Sequence, residues 1–310
     1  MRLSISLANH SWPDAADGSS PIGPQVSRLV RLADQTGIDT LWAMDHMFQI
    51  PLNGPATDPL LEAYALLGFV AGHTERIRIG ALVTAVSYRH PGLLIKSLTA
   101  LDVLSQGRAW LGIGASWHDE EARAFGLPFP GLGERYERLE ETLQIALRMW
   151  AGDATPFEGV HHRLENPFNN PNSVQRPHPP ILVGGAGERK TLRLVAQYAD
   201  ACNLFDIPEG VEIAGHRGGP EGLRHKLDVL RGHCEDVGRP YDDIEKTIVS
   251  SFAIGPIGTG DVKGPAEIVD HFGGLAEVGL EHVIFEPSHP WDDESLGVIA
   301  AIVPEVGRLS

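Results

Sequence analysis

The stretch "RIRIGALVTAVSYRHPGLLIKSLTALDVLSQGRAWLGIGAS", residues 76–116, decides the fold. Its two ends, 76–86 and 108–116, are short apolar runs that read as buried strands. The middle, 91–107, reads as a helix opened by Pro91 and closed by Gly107. One strand, one helix and one strand make a β/α repeat, and the same alternation extends in both directions.

On the N-terminal side, strands are expected over 3–8 and 39–46, with helices over 26–37 and 59–73, the latter capped by Asp58. On the C-terminal side, a helix is expected over 134–150. Strands follow over 180–187, 200–205, 246–254 and 281–287, with helices over 188–199, 220–238, 265–279 and roughly 295–309. Residues 151–179, dense in Asn, Pro and His, interrupt the rhythm and read as an insertion after helix four, with room for a short hairpin. Eight β/α units in 310 residues match an α/β fold, a (β/α)8 TIM barrel built as a single domain over 1–310. A doubly wound open sheet is the rival, but no early G-x-G-x-x-G supports it.

Composition narrows the function. The formal charge is −16, which repels nucleic acids and anionic membranes at long range. No run of 18 or more apolar residues appears. The opening "MRLSISLANHSW" has too short an apolar core for a signal peptide. Two cysteines, Cys202 and Cys234, imply no disulfide framework. A cytoplasmic protein acting on a small molecule, with no nucleic-acid or membrane partner, is expected.

In a (β/α)8 barrel, reactive residues lie at the C-terminal ends of the strands. Those ends offer Asn9 and His10, then Asp45 and His46, then "TAVSYRHP" and "GASWHDEE". They continue with "GGAGERK", Asn203 and Asp206, Ser250 and Ser251, and Glu286. Histidine as a residue type titrates near neutrality and suits proton transfer, so His46 is a catalytic candidate, with Asp45 beside it. The other reading has His46 capping a loop and Asp45 binding backbone amides. "GGAG" (184–187) at a strand-to-helix turn lets backbone N–H groups approach an anion, with Arg189, Lys190 and Arg193 adding positive charge. A plain tight turn with solvated charges is the alternative. Arg89 and His90 read as anion contacts or loop anchors. His161 and His162 are adjacent, but neither an H-E-x-x-H nor a cysteine pair supports them, so no metal is expected. G-x-S-x-G is absent as well.

Taken together, "GIDTLWAMDHMF", residues 76–126, "GERYERLEETLQIALRMW" and "ILVGGAGERKTLRLVAQYADACN" resemble the bacterial luciferase-like flavin and deazaflavin oxidoreductases, most of all the branch that uses coenzyme F420. The resemblance implies a (β/α)8 barrel with an insertion and a hydride-transfer enzyme, with His46 as the acid–base residue. It implies a non-prolyl cis peptide at Leu82–Val83, so that Leu82, Val83 and Thr84 support the redox ring. Gly114, Ala115 and Ser116 would line the ring or its side chain. Gly184, Gly185, Ala186 and Gly187, with Arg189 and Lys190, would meet the cofactor's phosphate. F420 is the implied cofactor. FMN, with oxygen and a flavin reductase partner, is the alternative, and a homodimer is implied. Trp117 stands where some sugar-phosphate dehydrogenases of the family carry a catalytic Glu, and the luciferase arginine near Ala115 is missing. Trp117 is expected as an aromatic wall. Phe48, Phe129 and Phe168 lie in the irregular segments that would shape the substrate pocket. A barrel that merely carries a flavin-type ligand and a metal-dependent hydrolase are the other classes left open.

Overall fold

The computed structural model describes residues 1–8, 21–213, 215–258, 260–289 and 291–309. Eight parallel strands close on themselves: β1 (Arg2–Ser6), β2 (Thr40–Ala43), β3 (Arg78–Ala81), β4 (Ala109–Gly114), β5 (Ile181–Gly184), β6 (Ala201–Phe205), β7 (Glu245–Phe252) and β8 (His282–Pro287). Each pairs with its neighbour in sequence, and β1 returns to β8 through Arg2↔His282 to Ile5↔Phe285. This is the expected (β/α)8 barrel. Asn9 and His10 lie outside the described residues.

The helices are α1 (Ile22–Gln35), α2 (Ala63–His73), α3 (Pro91–Leu104), α4 (Leu132–Trp150), α5 (Thr191–Tyr198), α6 (Gly219–Val237), α7 (Pro265–Val278) and α8 (Asp293–Val306). Alternate strand residues, such as Ile5, Leu41, Ile79, Ile113, Val183 and Phe285, join the main core with the helices' apolar faces. The other set points into the barrel. There Trp42, Trp110, Leu182, Ala201 and Ile284 form a separate cluster, with Leu82 and Val83 packed against it. Room for the two indoles comes from glycine: a Cβ on Gly80 would lie 2.7 Å from Trp42.

Three local expectations change. Helix α2 begins at Ala63, four residues later than expected, because Glu62 rather than Asp58 accepts from the Ala65 amide (2.7 Å). Helix α5 begins at Thr191, so Arg189 and Lys190 lie in the turn before it. A short helix, Asp119–Ala124, follows β4 where irregular chain was expected. Within 151–179, Phe157–Glu158 and Arg163–Leu164 form a small antiparallel hairpin. Strand three breaks at a cis Leu82–Val83 bond, the expected position, and resumes at Thr84–Ala85 alongside β4.

Candidate active site at the barrel mouth

His46 follows β2 and meets Glu121, carried in by the short helix after β4. His46 Nδ1 lies 2.7 Å from Glu121 Oε2. Glu121 is fully buried. It also accepts from the amides of Met47 and Phe48 and from the Tyr88 hydroxyl (2.9 Å). Burial pushes its carboxyl up, but the hydrogen bonds from His46, Met47 and Tyr88 outweigh that and hold it below the usual carboxylate range. Glu121 is therefore a carboxylate at neutral pH, and His46 Nδ1 must donate to it. That leaves Nε2, which has no partner among the described residues, as the ring nitrogen open to a ligand. Trp117 stands edge-on to the imidazole, ring centroids 5.6 Å apart, and is largely exposed at the rim.

Sequence reasoning passed over Glu121. It is the last residue of the strand-end run "GASWHDEE" and the third of three consecutive acids, Asp119, Glu120 and Glu121, none of which was given a role. Helical spacing was the available signal: His118, Glu121 and Ala122 stand at i, i+3 and i+4 and share one buried face. His118 Nδ1 is buried without a hydrogen-bond partner, 3.5 Å from Glu121 Oε2. Ligand atoms of His46, His118 and Glu121 all lie within 4.8 Å of one another, so this trio could hold a metal ion although none was expected from the sequence.

Asp45 is engaged differently. Its carboxylate accepts from the Ala85 amide (3.1 Å) and pairs with Arg89 (2.5 Å), which also reaches Glu62 (2.6 Å). Arg89 stacks over Tyr64, whose hydroxyl is 2.7 Å from Thr84 Oγ1. Asp45, Thr84 and Arg89 thus clamp the Thr84–Ala85 segment beyond the cis bond.

Around that bond the barrel interior is shaped by missing side chains. A Cβ on Gly114 or on Gly184 would come within 2.8 Å of the Val83 methyls. Val83 therefore sits as a ridge between the ends of β4 and β5, and only glycine fits beside it. Ser116, in the left-handed region at φ 62°, accepts from the Ser87 amide (3.3 Å). At the glycine corner, Gly185 has φ 121°, and the Gly185 amide reaches Asn203 O (3.2 Å). The amides of Ala186, Gly187 and Glu188 have no backbone acceptor among the described residues. A Cβ on Gly187 would meet Thr191 Oγ1 at 2.8 Å and the Tyr136 hydroxyl at 3.1 Å, two groups that bond each other (2.7 Å). Lys190 reaches over the Tyr136 ring, whereas Arg189 and Arg193 are exposed. Free amides, two hydroxyls and a nearby ammonium fit an anionic group, and the ridge flanked by glycines fits a flat ring.

Other strand-end residues go elsewhere. Asn203 accepts from Thr247 (2.8 Å). Asp206 accepts from Ser250 (2.5 Å) and faces His271 on α7 (2.6 Å). Glu286, at the end of β8, has its carboxyl pushed up by burial, and a hydrogen bond with Ser6 offsets only part of that rise. A wider cavity, about 470 Å³, opens at the opposite end of the barrel, but its charged walls include the paired Arg2 and Glu245.

Residues 1–257 match the family model described as luciferase-like monooxygenase. The chain is 31% identical over 216 residues to an F420-dependent glucose-6-phosphate dehydrogenase of Microbacterium testaceum, covering 69% of this chain and 59% of that one. Among solved structures, monooxygenase RslO1 from Streptomyces bottropensis superposes with a TM-score of 0.77 at 22% identity, covering 98% of each chain. An F420-dependent secondary alcohol dehydrogenase, in complex with an F420–acetone adduct, superposes with a TM-score of 0.80 at 14% identity, again covering 98% of each.

Proposed function

The chain belongs to the luciferase-like monooxygenase family, and on that premise we propose that it is an F420-dependent oxidoreductase acting on a small organic substrate. The observation that carries this reading is the buried Glu121 beneath His46, which leaves one imidazole nitrogen unengaged at the barrel mouth. When bound, F420 supplies a deazaflavin ring that exchanges a hydride at C5.

The protein's residues do the rest. Val83, held between Gly114 and Gly184, would support the flat ring. Ser116, Tyr136, Thr191 and the amides of Ala186, Gly187 and Glu188 would receive the phosphate-bearing chain at the turn that Gly185 opens, with Lys190 adding charge and Arg189 steering from the rim. His46, its Nδ1–H held by Glu121, takes a proton at Nε2 in the oxidising direction and returns it in the other. Asp45 acts as a positioning residue: with Arg89 it fixes Thr84–Ala85 and so the height of the ridge. Trp117 and Phe48 make the apolar wall that keeps water from the reacting centre. Trp117, standing where a catalytic Glu would serve sugar-phosphate oxidation, points away from glucose-6-phosphate as the substrate.

An FMN-dependent monooxygenase with a separate flavin reductase is the second reading, supported by the family description. Among the described residues no helix is long and apolar enough to cross a membrane. A cytoplasmic homodimer is the setting we assign. Fluorescence titration against F420 and FMN tests the cofactor: tight F420 binding is expected, and tight FMN binding with none for F420 overturns the choice.

A further inference from the structure

A second pocket lies beside the mouth, about 320 Å³ in volume, between the segment after β3, helix α4 and the hairpin of 157–164. Its walls include Arg89, His90, Arg138, His161, His162 and Arg163, and no aspartate or glutamate. On a chain of formal charge −16 this is a local reversal of sign.

Two buried polar atoms there have no partner. Ser87 Oγ and His162 Nε2 make no hydrogen bond, although Ser87 is only 6% exposed and His162 8%. Both residues line this pocket. Leaving such atoms unsatisfied is costly unless a ligand completes them.

The basic side chains are unequally occupied. Arg89 is held by Asp45 and Glu62, and His161 by Glu137 (2.8 Å). Arg138 gives Nε and Nη2 to a single oxygen of Glu134, leaving Nη1 without a partner among the described residues. Arg163 has no acidic partner among them at all. His162 is pushed down to about 4 by burial and by the nearby Arg138, so it is neutral at pH 7 and offers a hydrogen bond rather than a charge. The hairpin tip that carries His161 and His162 is fixed from below, where Glu141 accepts from the amides of Val160, His161 and His162. The pocket is therefore a set of donors on a fixed hairpin tip, in which Arg163 is the one arginine with no ion pair among the described residues.

We infer that this pocket is an anion subsite, built for a carboxylate or phosphoryl group gripped by Arg163 and Arg138 and completed by Ser87 and His162. The arginines disfavour a metal ion in the same space. Two sources share this chemistry. One is the anionic chain of the cofactor at the mouth, since the Ser87 amide bonds Ser116 in the proposed cofactor site. The other is an acidic substrate or effector bound independently. The first source rests on the cofactor proposal; the subsite itself does not.

The test titrates the full-length protein with citrate and with inorganic phosphate, read by calorimetry and by the histidine C2–H resonances. Saturable binding that weakens with added NaCl is expected, with the His162 resonance moving. Arg163→Ala should raise the Kd about ten-fold, as should Arg138→Ala, each with an unchanged melting temperature. Absence of saturable binding, or an unchanged Kd in the double variant, overturns the inference. Repeating the titration with F420 present separates the sources: competition assigns the pocket to the cofactor's chain, and simultaneous binding to a second ligand. Citrate binding without any F420 binding would retain the subsite while removing the cofactor reading.

Discussion

The barrel holds a histidine–glutamate pair at each end, and the two are wired differently. At the mouth, His46 faces Glu121 at 2.7 Å; at the floor, His282 Nδ1 faces Glu245 at 2.9 Å. The floor pair is closed. His282 Nε2 is 2.5 Å from Ser4 Oγ, Ser4 accepts in turn from the Thr40 amide, and Glu245 is also paired with Arg2. Serine, histidine and glutamate in that order have the residue types of a nucleophilic triad, yet Ser4 is fully buried and no substrate can reach it. At the mouth, one nitrogen is left over, and the His46 side chain is 13% exposed against 1% for His282. The same two residue types make a strut where both ring nitrogens are used and leave a nitrogen open to a ligand where one is kept free.

The largest expected effect is on turnover. His46→Ala should lower kcat by about 10²–10⁴-fold while cofactor affinity holds, as measured by steady-state kinetics beside fluorescence titration. An unchanged rate would make the mouth pair another strut. Glu121→Gln should act through the same nitrogen, losing part of that rate and altering the pH profile, because an amide does not fix the Nδ1–H tautomer.

The mirror experiment at the floor should move stability instead. His282→Ala leaves Ser4 and Glu245 without their shared partner, at a cost of about 1–3 kcal/mol in chemical denaturation. kcat should not change. A drop in kcat with full stability would mean that the floor communicates with the chemistry.

The smallest expected effect is in acid. Both Glu121 and Glu245 are held below their ordinary value of 4.5 in the folded protein, in each case because hydrogen bonding and nearby charge outweigh burial. The unfolded chain therefore takes up protons first as pH falls. Stability from these groups is full above 4.5 and is lost as pH drops through the lower folded values. Melting temperatures between pH 5 and 3 should fall less steeply in Glu245→Gln than in wild type, and equal slopes would remove Glu245 from the acid response.

The sequence carried the barrel because buried parallel strands are written as unbroken apolar runs, and Pro91, Gly107 and the other punctuating residues mark where helices begin and end. It carried His46 because the apolar run of β2 ends on a titratable residue. It could not carry the pairing of His46 with Glu121, 75 residues away, since the helical spacing of His118, Glu121 and Ala122 marks a buried face but not the side chain that face meets. Nor could it carry the floor pair, which joins the beginnings of β7 and β8, or the basic pocket, whose walls come from three separate segments. Arg189 and Lys190 were visible as charges, but their place before α5 rather than within it depended on where the first helical turn formed.

Trp42 and Trp110 pack inside the barrel, with Gly80 and Gly112 making way for them, and together they stopper it. With the interior filled there, no route runs from the floor of the barrel to its mouth. Whatever reacts at the mouth must arrive and depart from that side, so the order in which two reactants enter and leave is imposed by traffic at the rim as much as by their chemistry.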